Sequence, residues 1–126
     1  MTITRTPERA EFLSNVLTTA LEHAGYGFPG ILEYPDVENP ADVYAVIYDR
    51  YEEESGGTDD WRPSQTWRVD VDTIAHGLGV LKEKYRPGGH LRELFAADRD
   101  NDAGDIDVVG ALAILEAALF GDITYN

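Results

Sequence analysis

The chain has 126 residues, of which 43% are hydrophobic, and this is enough for one domain with its own core. It carries 24 acidic and 10 basic residues, a formal net charge of −14, and no cysteine. This charge disfavours binding to nucleic-acid phosphates or anionic membranes and favours a partner with a basic surface. The lack of cysteine excludes disulfides and thiolate chemistry. Because the first residues also lack a signal-peptide pattern, we expect a cytoplasmic protein.

The first predicted helix starts at residues 6–8, Thr-Pro-Glu. Threonine can cap a helix, proline is tolerated at the first helical position, and an acid there suits the helix dipole. Apolar residues then recur from Phe12 to Ala24 at the three- and four-residue spacing of one helix face. Gly25 is expected to end this helix.

Two alternatives stay open for the next segment. Asn39 followed by a proline has the pattern of a helix start, which favours a helix over Ala41–Glu54. The run Val43–Tyr48 is rich in β-branched and aromatic residues and would also suit a buried strand. The start signal and the length favour the helix. The preceding stretch, Ile31–Tyr34, is expected to be extended or turn-like because a proline follows it.

A further helix is predicted from Val71 to Tyr85, with Asp70 or Asp72 as its cap. Its apolar residues again follow the spacing of one helix face. Gly77 and Gly79 weaken this helix, and such glycines often mark the close approach of a neighbouring backbone. A short strand is expected just before it, in the sequence Thr-Trp-Arg-Val.

The C-terminal part contains the most apolar stretch of the chain, Ile106–Phe120. It is predicted to be a helix that forms the centre of the core, preceded by a short helix over His90–Asp98. Ile123–Tyr125 is expected to pair with the strand at Trp67–Val69. Together these elements predict a mainly α single domain over residues 1–126, a compact bundle of about five helices around the central C-terminal helix, with a minor two-stranded β ribbon.

Two stretches can be compared with known proteins: residues 67–78, WRVDVDTIAHGL, and residues 105–125, DIDVVGALAILEAALFGDITY. They resemble segments of small acidic proteins from actinobacteria and their bacteriophages, with a mid-chain "TIA-G-(x)-L" helix and an aspartate-led apolar helix that ends in ALFG. That family has no assigned activity. The resemblance therefore implies an actinobacterial or bacteriophage setting and assigns no functional residues.

An aspartate-rich loop precedes the central helix and has part of a calcium-binding pattern. Its first three aspartates occupy the first, third and fifth positions of an EF-hand loop. However, Ala103 stands where the turn glycine belongs, and Val109 stands in place of the bidentate glutamate. Capping and solvation of the apolar helix explain the loop better than calcium does. The candidate metal ligands are Asp98, Asp100, Asp102 and Asp105.

These observations favour a non-catalytic acidic protein that binds another protein, with no cofactor and no membrane contact, as a monomer or homodimer. A narrower hypothesis is that its carboxylates imitate DNA phosphates and occupy a DNA-binding protein. The alternatives are a calcium-binding module at the aspartate loop and, third, an enzyme that uses a buried Glu116 as acid or base. The candidate partner-binding residues are Glu52, Glu53, Glu54, Asp59, Asp60 and Trp61.

Overall fold

The computed structural model describes residues 6–22, 30–48, 65–85 and 92–121. Within these ranges the chain forms four α-helices and a three-stranded antiparallel sheet. The helices are α1 (Pro7–Glu22), α2 (Val71–Lys84), α3 (Arg92–Asp100) and α4 (Val108–Phe120). The strands are β1 (Gly30–Glu33), β2 (Tyr44–Tyr48) and β3 (Thr66–Asp70). The mainly α prediction is confirmed, while the prediction of about five helices is slightly too high. The predicted two-stranded ribbon is wrong, because the described residues form a sheet of three strands.

The helix predicted over Ala41–Glu54 is wrong, because the described part of this segment contains the strand β2. Asn39 does act as a cap, since its side chain accepts a hydrogen bond from the Ala41 amide at 3.0 Å. The helical turn that follows ends after three residues, at Asp42. Beyond it, Ala45 and Ile47 are buried in the core and alternate with half-buried residues. This period of two is that of a strand with one face on the core.

Strand β2 lies in the middle of the sheet and pairs with β1 on one side and β3 on the other. The predicted strand before α2 is therefore confirmed as β3, with β2 as a partner. Its expected partner Ile123–Tyr125 lies outside the described residues. The inner face of the sheet contributes Ala45, Ile47 and Val69 to the core, and the helices supply the rest of it.

Helix α4 is the central element, as predicted, and packs against both α1 and α2. Its N-terminus is capped by Asp107, whose carboxylate accepts a hydrogen bond from the Gly110 amide at 2.7 Å. Its C-terminus is Gly121, which has the left-handed backbone conformation (φ 79°) that glycine adopts without strain. The residues that flank the most apolar helix in the sequence thus cap both of its ends.

Helix α2 is capped by Asp70 rather than Asp72, in a reciprocal arrangement with Thr73. The expected close approach is found at Gly77, where an added Cβ would lie 2.1 Å from the carbonyl oxygen of Ile114 in α4. An added Cβ at Gly79 would meet nothing within 4 Å. Only the first of the two glycines therefore marks helix–helix contact.

The N-terminal helix and the short third helix are confirmed with small shifts in their bounds. Helix α1 starts at Pro7 as predicted and buries its apolar face, including Phe12, Leu13 and Leu17. The expected end at Gly25 lies outside the described residues. Helix α3 continues to Asp100, two residues beyond the predicted end, and its predicted start at His90 lies outside the described residues. None of the described helices is long and apolar enough to cross a membrane.

Candidate functional site

The structure describes the candidate metal ligands and Glu116 but not the candidate partner-binding residues. The six candidate partner-binding residues, Glu52, Glu53, Glu54, Asp59, Asp60 and Trp61, all lie outside the described ranges. That prediction therefore stays a prediction. The candidate metal ligands and Glu116 belong to α3, α4 and the connection between them, although the Asp105 side chain is outside the described part.

Asp98 is the centre of a buried ion-pair cluster. Its side chain is 2% exposed, and its two carboxylate oxygens contact Arg9 from α1 and Lys82 from α2. Arg9 also donates to the backbone carbonyl of Asp98 at 2.8 Å and to the Asn101 side chain at 2.9 Å. The guanidinium of Arg9 in addition lies over the Phe12 ring, 4.9 Å from its centroid. This cluster ties three helices together, which gives Asp98 a structural role that spacing alone did not reveal.

The other described loop aspartates do not converge on Asp98. Asp100 is largely exposed and pairs with the adjacent Arg99, while Asp102 is exposed at the turn that follows. Among the side chains that the structure describes, no group of three acidic or histidine residues is placed to hold a metal ion. Because both oxygens of Asp98 already contact cations, calcium would have to displace Arg9 and Lys82 to use it. The calcium site stays a prediction.

Glu116 is buried in α4, with a relative exposure of 2%, as the sequence led us to suspect. Its neighbours along the helix, Leu115 and Ala117, are also buried. The side chain is engaged by neighbouring groups and is not a free carboxyl. A buried carboxyl with a partner meets the ordinary requirement for a polar group in a core, so acid–base chemistry is not needed to explain it.

A different acidic feature emerges from the connection between β1 and β2. Residues 33–42, here called the acidic segment, contain Glu33, Asp36, Glu38 and Asp42, and all four are exposed. No lysine, arginine or histidine occurs anywhere in residues 30–48. Within the described ranges, none of these carboxylates takes part in an ion pair or a side-chain hydrogen bond. No cation in the described part of the chain therefore pairs with them.

The acidic segment forms a groove with the C-terminal end of α1. The groove has a volume of about 270 Å³, and its lining is more polar than apolar, with carboxylates beside a smaller apolar surface. Its position is fixed because the Tyr34 hydroxyl donates to the Thr18 hydroxyl of α1 at 3.1 Å, and the turn before Val43 packs on the same helix. The lining residues are Glu22, Tyr34, Pro35, Asp36, Val37 and Val43.

Several cations of the described chain are paired elsewhere. Besides Arg9 and Lys82, Arg68 pairs with Asp70 at 2.7 Å and lies over the Tyr44 ring, 4.4 Å from its centroid. Arg99 pairs with its neighbour in α3. These four cations thus contact carboxylates other than those of the acidic segment. The cation-free run at residues 30–48 was visible in the sequence, but the groove depends on how that run lies against α1.

No protein-family model, curated protein or solved structure matches this chain.

Proposed function

We propose that the protein is a non-catalytic binding protein that uses its acidic surface to hold the basic surface of another protein. The observation that carries this proposal is the acidic segment, four exposed carboxylates with no ion-pair partner among the described residues, in a chain of net charge −14. Like charges held together repel one another, so such a surface reduces the stability of the free protein slightly. A basic partner relieves that repulsion and associates faster because the two fields attract.

The proposal is tested by affinity capture with neutralised variants. The variant E33Q/E38Q/D42N removes three charges of the acidic segment, and E11Q/E83Q/E93Q removes three exposed charges from helices elsewhere. Both change the net charge equally, so they separate a local site from the overall field. Each is immobilised beside the native protein and exposed to an actinobacterial lysate, the source that the resemblance suggests. Circular dichroism first confirms that both variants are folded.

We expect the native protein to retain one or a few basic proteins and to release them as salt rises from about 0.05 to about 0.5 M, since exposed charge pairs are screened. The acidic-segment variant should bind them about tenfold more weakly, as expected for the loss of three exposed ion pairs. The control variant should retain them. Equal capture by both variants, or capture that salt does not weaken, would overturn the proposal.

DNA mimicry is the narrower form of this proposal, and the exposed carboxylates of the acidic segment are what favour it. A protein whose DNA-binding surface is occupied by a mimic cannot hold duplex DNA at the same time. Adding duplex DNA to the captured complex should therefore release the partner in proportion to the DNA concentration. A partner that stays bound at saturating DNA would exclude mimicry and leave the broader proposal intact.

A further inference from the structure

The groove beside the acidic segment has a shape and chemistry of its own. It is smaller than the ~300 Å³ at which pockets for small-molecule ligands usually begin. This size suits one or two side chains of a partner. Its walls include Pro35, Val37 and Val43, and Glu22 and Asp36 also line it. Val37 remains 36% exposed, so an apolar contact surface is available to an occupant.

Building on the proposed function, we propose that this groove binds a lysine or arginine side chain from an extended segment of the partner protein. Both side chains have an aliphatic stem and a cationic head. The stem matches the apolar wall at Val37 and Val43, and the head matches the carboxylates of Glu22 and Asp36. Among the described residues that line the groove, none is a lysine, arginine or histidine. An acidic or purely apolar segment would leave these carboxylates without a counter-charge.

Other occupants fit less well. A second copy of this chain carries the same charge of −14, which opposes its docking on an acidic groove. A divalent cation prefers six or more oxygen ligands, and the described residues that line the groove supply two carboxylates. The side chains that the structure describes also include no metal-binding group of three acids or histidines. A cationic side chain is the occupant that uses both the charge and the apolar wall.

The groove is also preformed, which lowers the entropic cost of binding. Tyr34 is half-buried against the core, and its hydroxyl is hydrogen-bonded to Thr18. Val43 packs against the same core at the far end of the acidic segment. The wall between them is thus attached to α1 and the core at both ends.

The test uses short fluorescent peptides and measures binding by fluorescence anisotropy. One peptide alternates lysine with leucine, the second alternates lysine with glycine, and the third alternates glutamate with leucine. The protein variants are E22Q/D36N, V37S and the control E83Q/E93Q, which removes two exposed charges from α2 and α3. Thermal melts confirm that all three variants fold.

We expect the native protein to bind the lysine–leucine peptide best and the glutamate–leucine peptide not at all. E22Q/D36N should weaken lysine–leucine binding about tenfold, while E83Q/E93Q changes it less than about twofold. V37S should weaken binding of the lysine–leucine and lysine–glycine peptides alike, by about threefold, because Val37 contacts the aliphatic stem of the lysine in both. If E22Q/D36N and E83Q/E93Q lower affinity equally, or if the native protein does not bind the lysine–leucine peptide, the inference is overturned.

A negative result with the peptides would overturn the groove inference without overturning the proposed function. The capture experiment neutralises Glu33, Glu38 and Asp42, and none of these lines the groove. Capture that depends on those three residues would keep the proposed function, whatever the peptides do. Capture that is unaffected by their neutralisation would remove the proposed function independently of the groove.

Discussion

The contact between α2 and α4 at Gly77 gives the sharpest prediction of stability. Replacing Gly77 with alanine adds a Cβ 2.1 Å from the Ile114 carbonyl oxygen and 3.0 Å from both the carbonyl carbon and Cγ2 of that residue. Ordinary van der Waals contact begins at 3.4 Å, so the oxygen is too close by 1.3 Å. The oxygen belongs to the backbone of the central helix, which cannot rotate away like a side chain. The two helices must therefore separate.

Two opposing effects set the magnitude. Alanine is a better helix former than glycine by about 1 kcal/mol, which favours the variant. Forcing an extra carbon into a packed core costs about 1–3 kcal/mol or more, and a backbone contact belongs at the upper end. Gly77→Ala should thus lower the free energy of unfolding by about 2 kcal/mol. Gly79→Ala, which meets no atom within 4 Å, should raise it by up to about 1 kcal/mol.

The free energy of unfolding and the Tm of the two alanine variants and the native protein are measured by urea denaturation and by thermal melts. A difference of about 3 kcal/mol between the variants corresponds to about 10 °C in Tm for a domain of this size. The two substitutions are chemically identical and lie two positions apart in one helix. The gain in helix propensity from glycine to alanine is therefore the same in both variants and does not affect the difference between them. Equal stability of Gly77→Ala and Gly79→Ala would refute the close approach of α2 and α4.

Three further predictions concern the ion-pair cluster, the cap of α4 and calcium. Asp98→Asn should lower the free energy of unfolding by about 2 kcal/mol, because it leaves a partly buried arginine without its carboxylate. Lys82→Gln should lower the free energy of unfolding by less than about 1 kcal/mol, since the Lys82 side chain is 51% exposed. Equal losses for the Asp98 and Lys82 variants in urea denaturation would contradict this order. Asp107→Ala should lower the free energy of unfolding by about 1 kcal/mol, because it removes the acceptor for the Gly110 amide. Asp107→Asn retains an acceptor oxygen and should be more stable than Asp107→Ala. Thermal melts that do not separate the two variants would exclude this cap. Melts in about 1 mM calcium and in chelator should coincide within about 1 °C; a calcium-dependent rise that Asp98→Asn abolishes would instead establish the metal site.

The sequence was sufficient where local signals and packing agreed. The apolar stripe of α1, the cap of α2 at one of its two candidate aspartates and the C-terminal end of α4 depend on residues a few positions apart, and each was found where predicted. The start of α4 was predicted two residues too early, because Asp107, expected inside the helix, is its cap. At β2 the local signals disagreed. Asn39 is a true cap, but the strand after it is fixed by pairing with β1 and β3, which come from other parts of the chain. Hydrogen bonding to distant strands decides such a segment, and a local pattern cannot supply it.

The candidate sites were less predictable, because they too depend on contacts between residues far apart in the sequence. Asp98 looked like the first ligand of a loop, yet its contacts are Arg9, 89 residues away in sequence, and Lys82. The acidic segment could have been noticed as a run without cations. That it forms a groove with Glu22 could not, because this depends on the hydrogen bond from Tyr34 to α1. Long-range placement therefore decides which carboxylates are structural and which are exposed to a partner.

The position of α4 has a consequence for synthesis on the ribosome. The helix that α1 and α2 pack against is the last of the described elements along the chain. At about 5–20 residues per second, roughly 5–20 s pass between the synthesis of α1 and that of α4. During this interval the apolar face of α1, with Phe12, Leu13 and Leu17, has no central helix to cover it. The native packing of α1 and α2 is therefore completed only after Phe120 has emerged from the ribosome.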